Sequence, residues 1–405
     1  MRIIFIVNFP ANLDGSKAKG RFLYLTEILA ERGHQVEMIV SDFDHGSKQH
    51  RLKGSIKQDA YKTKITVLHE PGYPNNVSLK RLWSHYVWGR NVKKYLDSNE
   101  KPDVVYCAMP SLTAAKYASA YCRKKEVKYI VDLQDLWPEA FAMAIKNEML
   151  QKFFLPMKCV ADESYASADF AIAVSETYVN RILEVNIKIH SGLAVYLGND
   201  GEEFEKGKAK YHLERSKDEI VIGYIGNMST SYDMPCVFDA LAKVKERGRV
   251  QQPIRFVLIG GGVDENRFKD YAARVYPNTN FLGIKTYQEM AGILCDCDIV
   301  VNPIVKGSVA SIINKVGDYA LAGLPVINTQ ESQEYRQLII NYNCGINCEC
   351  GSSNEVAEAI EKLALNADLR EQMGRNSSIL GKEKFDRRYT YLEIVESLEG
   401  IMSNN

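Results

Sequence analysis

The sequence predicts an α/β protein built from two doubly wound units, and three observations carry that expectation. Short apolar runs alternate with amphipathic stretches, the alternation starts afresh at Ile220, and a polar stretch from Leu197 to Asp218 separates the two series. The chain has 405 residues, so each unit has about 200, enough for a core of its own.

In the first series, Ile3 to Val7 reads as a buried strand, Phe22 to Glu31 as a helix and Val36 to Val40 as the next strand. Val104 to Cys107, a helix over Ala114 to Arg123 and Tyr129 to Val131 continue it. The second series has strands at Ile220 to Ile225, Ile254 to Ile259, Asn280 to Leu282, Ile299 to Val301 and Val326 to Asn328, with helices between. An amphipathic segment, Tyr389 to Ile401, closes the chain. The expected domains are 1–197, a linker 198–217, then 218–385, with a C-terminal helix over 386–405 crossing back to the first domain.

A hydrophobic content of 46% with 51 basic and 51 acidic residues describes a globular protein and excludes a polyelectrolyte. Charge is unevenly spread: residues 1–200 hold 27 Lys/Arg against 22 Asp/Glu, and residues 201–405 hold 24 against 29. Between 45 and 94, eleven cations, among them Lys48, Lys53, Lys80, Arg81, Lys93 and Lys94, face only Asp59 and Glu70. Met1 to Asn8 is too short an apolar run for a signal peptide, and no run of about 18 apolar residues appears. Nine cysteines without secreted-scaffold spacing imply reduced thiols and a cytoplasmic chain. Cys295-x-Cys297 and Cys344-x3-Cys348-x-Cys350 lack paired zinc spacing and a nearby His, so no metal is expected there.

The most informative stretch runs from Ser311 to Ile327. A polar turn with Asn314 and Lys315 enters a short helix bearing Asp318, and Gly323-Leu324-Pro325 ends it before a buried strand. Free amides and a lysine at a helix start suit a diphosphate, and a carboxylate one turn on suits ribose hydroxyls. An ordinary surface Lys–Asp pair has the same spacing. Gly223-Tyr224-Ile225-Gly226-Asn227 is a strand running into a polar loop, where Gly226 lets backbone approach a phosphate, and Gly260-Gly261-Gly262 follows the next strand at the same rim. Gly20, opening the first helix, is a similar candidate, or a simple turn.

These segments, with Gly33-His34-Gln35-Val36, Asp132-Leu133-Gln134-Asp135-Leu136-Trp137-Pro138-Glu139, Ala173-Val174-Ser175 and Asn199-Asp200 with Phe204, resemble the family 4 retaining glycosyltransferases of GT-B fold. The likeness covers nearly the whole chain and is strongest to bacterial capsule, O-antigen and exopolysaccharide transferases. It implies two Rossmann-like domains facing each other across a cleft, no cofactor, a nucleotide-sugar donor (usually a UDP-sugar) on the second domain and an acceptor on the first. Asp318 falls where the family usually has a ribose-binding Glu, Ala310 where it often has a second Glu, and Asn227-Met228-Ser229 where it often has an Arg. Lys315 is then the expected main cation on the leaving diphosphate, with donor contacts from Gly226, Asn227, Gly260, Gly261, Asn314 and Asp318.

Asp42-x-Asp44 and Asp296-x-Asp298 resemble a metal-binding Asp-x-Asp motif but read as structural, so metal-independent transfer is expected. Gln134-Asp135 occupies the slot of a His-Asp pair in related enzymes, which makes Asp135 the first and Asp132 the second acceptor-side candidate. An Asp that caps a helix with Trp137 packed on it is the alternative. The stretch Ser78 to Lys94 mixes Lys80, Arg81, Lys93 and Lys94 with Trp83 and Trp88 and suits docking on anionic lipid beside a lipid-linked acceptor. A solvated face with both tryptophans in the core is the other reading. No nucleic-acid motif accompanies the charge. Two rivals remain: a nucleotide-sugar epimerase needing no acceptor, and a non-catalytic partner subunit of the same fold.

Overall fold

The computed structural model describes residues 1–403 apart from 11–12, 16–18, 53, 77, 140–154 and 308–311. The expectations for Lys53, Ala310 and Ser311 lie outside the described residues. The chain divides into two compact units, Met1–Val195 with Glu393–Asn405, and Tyr196–Leu392.

The first unit is built on seven parallel strands. In chain order these are β1 (Arg2–Val7), β2 (Gln35–Ser41), β5 (Lys64–Leu68), β6 (Val104–Met109), β7 (Lys128–Leu133), β8 (Phe170–Ala173) and β9 (Leu193–Ala194), and they lie side by side as β5-β2-β1-β6-β7-β8-β9. β1 and β6 are almost wholly buried, so they read as unbroken apolar runs rather than alternating ones. A small antiparallel hairpin, β3 (Phe43–Asp44) and β4 (Gln49–His50), follows β2 and pairs Phe43 with His50. β5 is short, partly exposed along its length and sits at the sheet edge, so within a stretch read for its charge its pattern does not stand out.

Helix α1 (Arg21–Glu31) follows the first loop, and α2 (Leu79–Ser98) starts at Ser78, whose hydroxyl accepts the Arg81 amide. Buried residues Arg81, Ser84, His85, Trp88, Val92 and Leu96 fall on one face of α2. Gly89 on that face lets α2 approach α3 (Leu112–Lys125), because a Cβ there would stand 2.8 Å from the Thr113 carbonyl carbon. The terminal helix, Arg387–Ser403, ends in this unit, where Glu399 accepts from Arg32 at 2.8 Å and meets the His34 ring at 2.9 Å.

The second unit repeats the plan with β10 (Ile220–Ile225), β11 (Ile254–Ile259), β12 (Thr279–Phe281), β13 (Ile299–Asn302), β14 (Val326–Asn328) and β15 (Gly345–Asn347), ordered β12-β11-β10-β13-β14-β15 and all parallel. Strand order reverses between β10 and β13, and ligands of such sheets bind beyond the carboxyl ends at that point. The chain leaves β10 there through Gly226.

Candidate functional site

A cavity of about 590 Å³ opens in the second unit, lined by Gly226, Gly260, Asn314, Lys315 and Asp318 together with Leu197, Tyr232, Ile284, Lys285 and Met290. Five of the residues singled out in the sequence therefore share one wall. Asn227 and Gly261 belong to the same two loops, which are laced by backbone hydrogen bonds from Gly226 to Ile259 and from Met228 to Gly261, both 2.9 Å. Gly226 and Gly260 have φ of +126° and +135°, open to glycine alone at little cost. A Cβ on Gly260 would lie 2.0 Å from the Gly226 carbonyl oxygen, so the loops could not close with any larger residue.

Lys315 opens the helix Lys315–Leu321 and is buried. Its Nζ lies 4.1 Å from the centre of the Tyr224 ring and 3.8 Å from that of Tyr232, and it has no hydrogen-bond partner among the described residues. Aromatic faces offset only part of the cost of burying an ammonium. Burial accordingly pushes its pKa well below the usual lysine range. An anion entering the cavity would supply the missing partner.

Asp318, one turn on, is also buried. Its Oδ1 accepts from Asn199 Nδ2 at 2.5 Å and from the Tyr287 hydroxyl at 2.9 Å. Burial raises its pKa to about 7, against the lowering effect of those two bonds. Asn199 is fixed by its own backbone, which donates to Phe385 at 2.7 Å, and a Cβ on Gly317 would meet its side-chain oxygen at 2.2 Å. Asn199 matched the family segment without an assigned role, and Tyr224, Tyr232 and Tyr287 were missed. Tyr224 comes from β10, Tyr232 from the loop that follows it and Tyr287 from a helix start far along the chain, and only the folded sheet gathers them. Lys285 and the exposed Ile284 at the cavity mouth carried no signal either.

The first unit corrects several expectations. Asp132 is fully buried: Arg21 pairs with it at 2.9 Å, and the Tyr106 hydroxyl and the Gln134 amide each donate to it at 2.6 Å. Its oxygens are taken up by partners within the fold, the role of a structural carboxylate, and Gln134 spends one amide hydrogen on it. Asp135 remains exposed and accepts from the Trp137 indole at 3.0 Å. Desolvation holds its pKa above the usual range, against the opposing effect of the Trp137 bond and the Arg81 charge. Gly20 precedes α1 with φ of −69°, a conformation any residue adopts, so nothing in the backbone demands glycine there.

The proposed docking helix is also revised. Trp88 is 0% exposed, and the buried Arg81 stacks on the Trp137 ring with its guanidinium carbon 4.0 Å from the centre, so neither can meet a membrane. Trp83, stacked on Tyr86, is 60% exposed, and Leu79, Leu82, Lys80, Lys93 and Lys94 are exposed with it. Among the described residues no helix is long and apolar enough to cross a membrane.

The two units resemble known families separately. The model described as Glycosyltransferase Family 4 matches residues 21–190, and that described as Glycosyl transferases group 1 matches residues 219–366. A capsular polysaccharide biosynthesis glycosyltransferase, CapM of Staphylococcus aureus, is 24% identical over 241 residues; the match spans 57% of this chain and 60% of CapM. Among solved structures, sucrose-phosphate synthase from Thermosynechococcus elongatus superposes with a TM-score of 0.71 at 14% identity, covering 100% of both chains. HepE from Anabaena, solved with UDP, gives 0.68 at 14% identity over 99% of this chain and 100% of its own. These likenesses place both units in the GT-B fold class.

Proposed function

Because the chain belongs to the family 4 glycosyltransferases, we propose that it moves a sugar, with retention of configuration, from a UDP-sugar to a lipid-linked glycan in surface polysaccharide assembly. One observation carries this reading: a buried Lys315 amine, without a hydrogen-bond partner among the described residues, shares a cavity with two positive-φ glycines and the Asp318 carboxyl. The relatives supply the context, since HepE was solved with UDP and CapM serves capsule biosynthesis.

In this reading the diphosphate lies against the Gly226 and Gly260 loops with Lys315 on its oxygens. Breaking the sugar–phosphate bond builds negative charge on the diphosphate, and a fixed cation in a desolvated pocket stabilises it far better than water does. Lys315 thereby fills the place of a divalent ion, which makes the transfer metal-independent. Asp318, held by Asn199 and Tyr287, accepts from the ribose, and Ile284 offers an apolar wall for the base. On the first unit Asp135 is assigned to the acceptor. Leu79, Lys80, Leu82, Trp83, Tyr86, Lys93 and Lys94 of α2 are assigned to anionic lipid, the rings at the interface and the amines at headgroups.

The test is UDP release from a panel of UDP-sugars with and without a lipid-linked glycan. Release that requires the acceptor and persists in chelator supports the transferase. Conversion of the UDP-sugar to an isomer without acceptor would replace it with an epimerase.

A further inference from the structure

Seven histidines occur in the chain, and two of them converge on one carboxylate in the first unit, well away in sequence from the Lys315 cavity. Asp42 leaves the end of β2, His50 lies in β4 and His69 directly follows β5. The His69 Nδ1 is 2.8 Å from Asp42 Oδ2 and the His50 Nδ1 is 3.5 Å from Asp42 Oδ1. The two imidazoles stack 5.7 Å apart at 14°, and one donor atom from each of the three residues lies within 4.8 Å of the others.

The arrangement is fixed by backbone pairing. The Asp42 amide donates to the Leu68 carbonyl at 3.0 Å, the Arg51 amide donates to the Asp42 carbonyl at 2.7 Å, and the Glu70 amide holds Asp42 Oδ1 at 2.7 Å. That last bond orients the carboxylate as an outer partner orients a metal ligand. Asp44, the other half of the Asp-x-Asp motif, turns away to the Gly46 amide at 2.9 Å and the Ser47 hydroxyl at 3.0 Å. A carboxylate–imidazole hydrogen bond accounts for His69. It does not account for a second, parallel imidazole aimed at the same carboxylate from a different strand.

We propose that Asp42, His50 and His69 bind a first-row divalent transition metal, zinc foremost. The two imidazoles are borderline nitrogen donors, and beside one carboxylate they favour such ions over magnesium or calcium. Zinc bonds of about 2.0–2.1 Å place neighbouring ligand atoms roughly 3.3 Å apart, so small side-chain rotations close the set. All three side chains are part-exposed, which leaves coordination positions to water. The ion pins the β3–β4 hairpin and the exit of β5 to the end of β2. It therefore steadies the loop that carries His45 and Lys48, both in contact with Tyr73. This inference does not depend on the transferase reading.

The test uses the full-length chain stripped of metal by chelator and dialysed. Zinc is titrated by calorimetry, cobalt by visible absorption and magnesium as control, on the unaltered protein, on His50→Ala/His69→Ala and on Asp42→Asn. The expected results are one zinc per chain, a rise in melting temperature with zinc, and a cobalt spectrum without a thiolate charge-transfer band. Affinity should fall at least about tenfold in each variant. Circular dichroism confirms that the variants are folded, and Asp42→Asn, the gentler change, serves if the double variant is not. Zinc binding unchanged in folded variants, a thiolate band from the nine free cysteines, equal binding of magnesium, or no zinc binding at all would each overturn the proposal.

Discussion

The amine of Lys315 stands 3.8 Å from the centre of the Tyr232 ring, buried and without a hydrogen-bond partner among the described residues. An amine in that position is held ready for an anion that no described residue supplies, with the centre of the Tyr224 ring 4.1 Å from it as well. The donor chemistry proposed here follows from that relationship.

Removing the amine tests it. Lys315→Ala should weaken UDP binding by about 1.5–3 kcal/mol, on the order of 10- to 150-fold, the worth of a charge-assisted hydrogen bond. Calorimetry on the folded variant reads this directly, and unchanged affinity would take Lys315 out of the site.

Binding should also move protons. Burial depresses the Lys315 pKa in the free protein, and a bound diphosphate raises it again, so the amine takes up a proton on binding. Affinity is then greatest where the amine is already charged and declines as pH rises above its free-state pKa. Calorimetry above about pH 7.5, past the nucleotide phosphate's own titration near pH 6, should show a binding enthalpy that varies with buffer ionisation enthalpy. Lys315→Met should abolish that dependence.

Asp318 links stability to pH. Its pKa is raised to about 7 in the fold from an unfolded value of 3.8, so the folded chain holds a proton there that the unfolded chain has released. The sign is that of a destabilising group: its contribution turns unfavourable as pH rises from about 4 through 7, by up to about 1.4 kcal/mol per pH unit. Asp318→Asn should flatten this part of the denaturation profile, between about pH 4 and 7. Parallel wild-type and variant profiles would mean that Asp318 is not buried as described.

Asp132 and Asp135 should separate cleanly. Asp132→Ala leaves the buried Arg21 charge without its carboxylate and should cost about 3–5 kcal/mol of stability, seen in denaturant titration. Asp135→Asn should leave stability within about 0.5 kcal/mol, as for an exposed position, while lowering transfer to the acceptor. Equal effects on folding would refute the assignment of Asp135.

On α2, replacing Trp83 and Tyr86 with Ser should reduce binding to anionic vesicles without unfolding the helix, since both rings are exposed. Charge reversal at Lys80, Lys93 and Lys94 should do the same, more strongly at low salt. Vesicle binding that survives both changes would end the docking proposal.

The sequence made the two sheets legible because fully buried parallel strands such as β1, β6 and β10 are continuous apolar runs. Edge strands such as β5 escaped, being short and half exposed. Of the cavity, the glycines and Lys315 could be read because each follows a strand or opens a helix. Tyr224, Tyr232 and Tyr287 could not, since tyrosine in an α/β chain is usually core and carries no spacing of its own. Asp132 misled for a related reason. A carboxylate at a strand end looks catalytic until its partner appears, and Arg21 is 111 residues away in the chain. Trp88 was ambiguous because helical periodicity alone does not say which face turns inward.

The most direct measurement is calorimetric titration of UDP, GDP, ADP and CMP into the protein and into Lys315→Ala, with magnesium and with chelator. Binding of UDP in chelator, weakened at least about tenfold in the variant, is the expected result. No binding of any nucleotide, or binding only with magnesium and indifferent to Lys315, would contradict the account of this cavity as a metal-independent donor site.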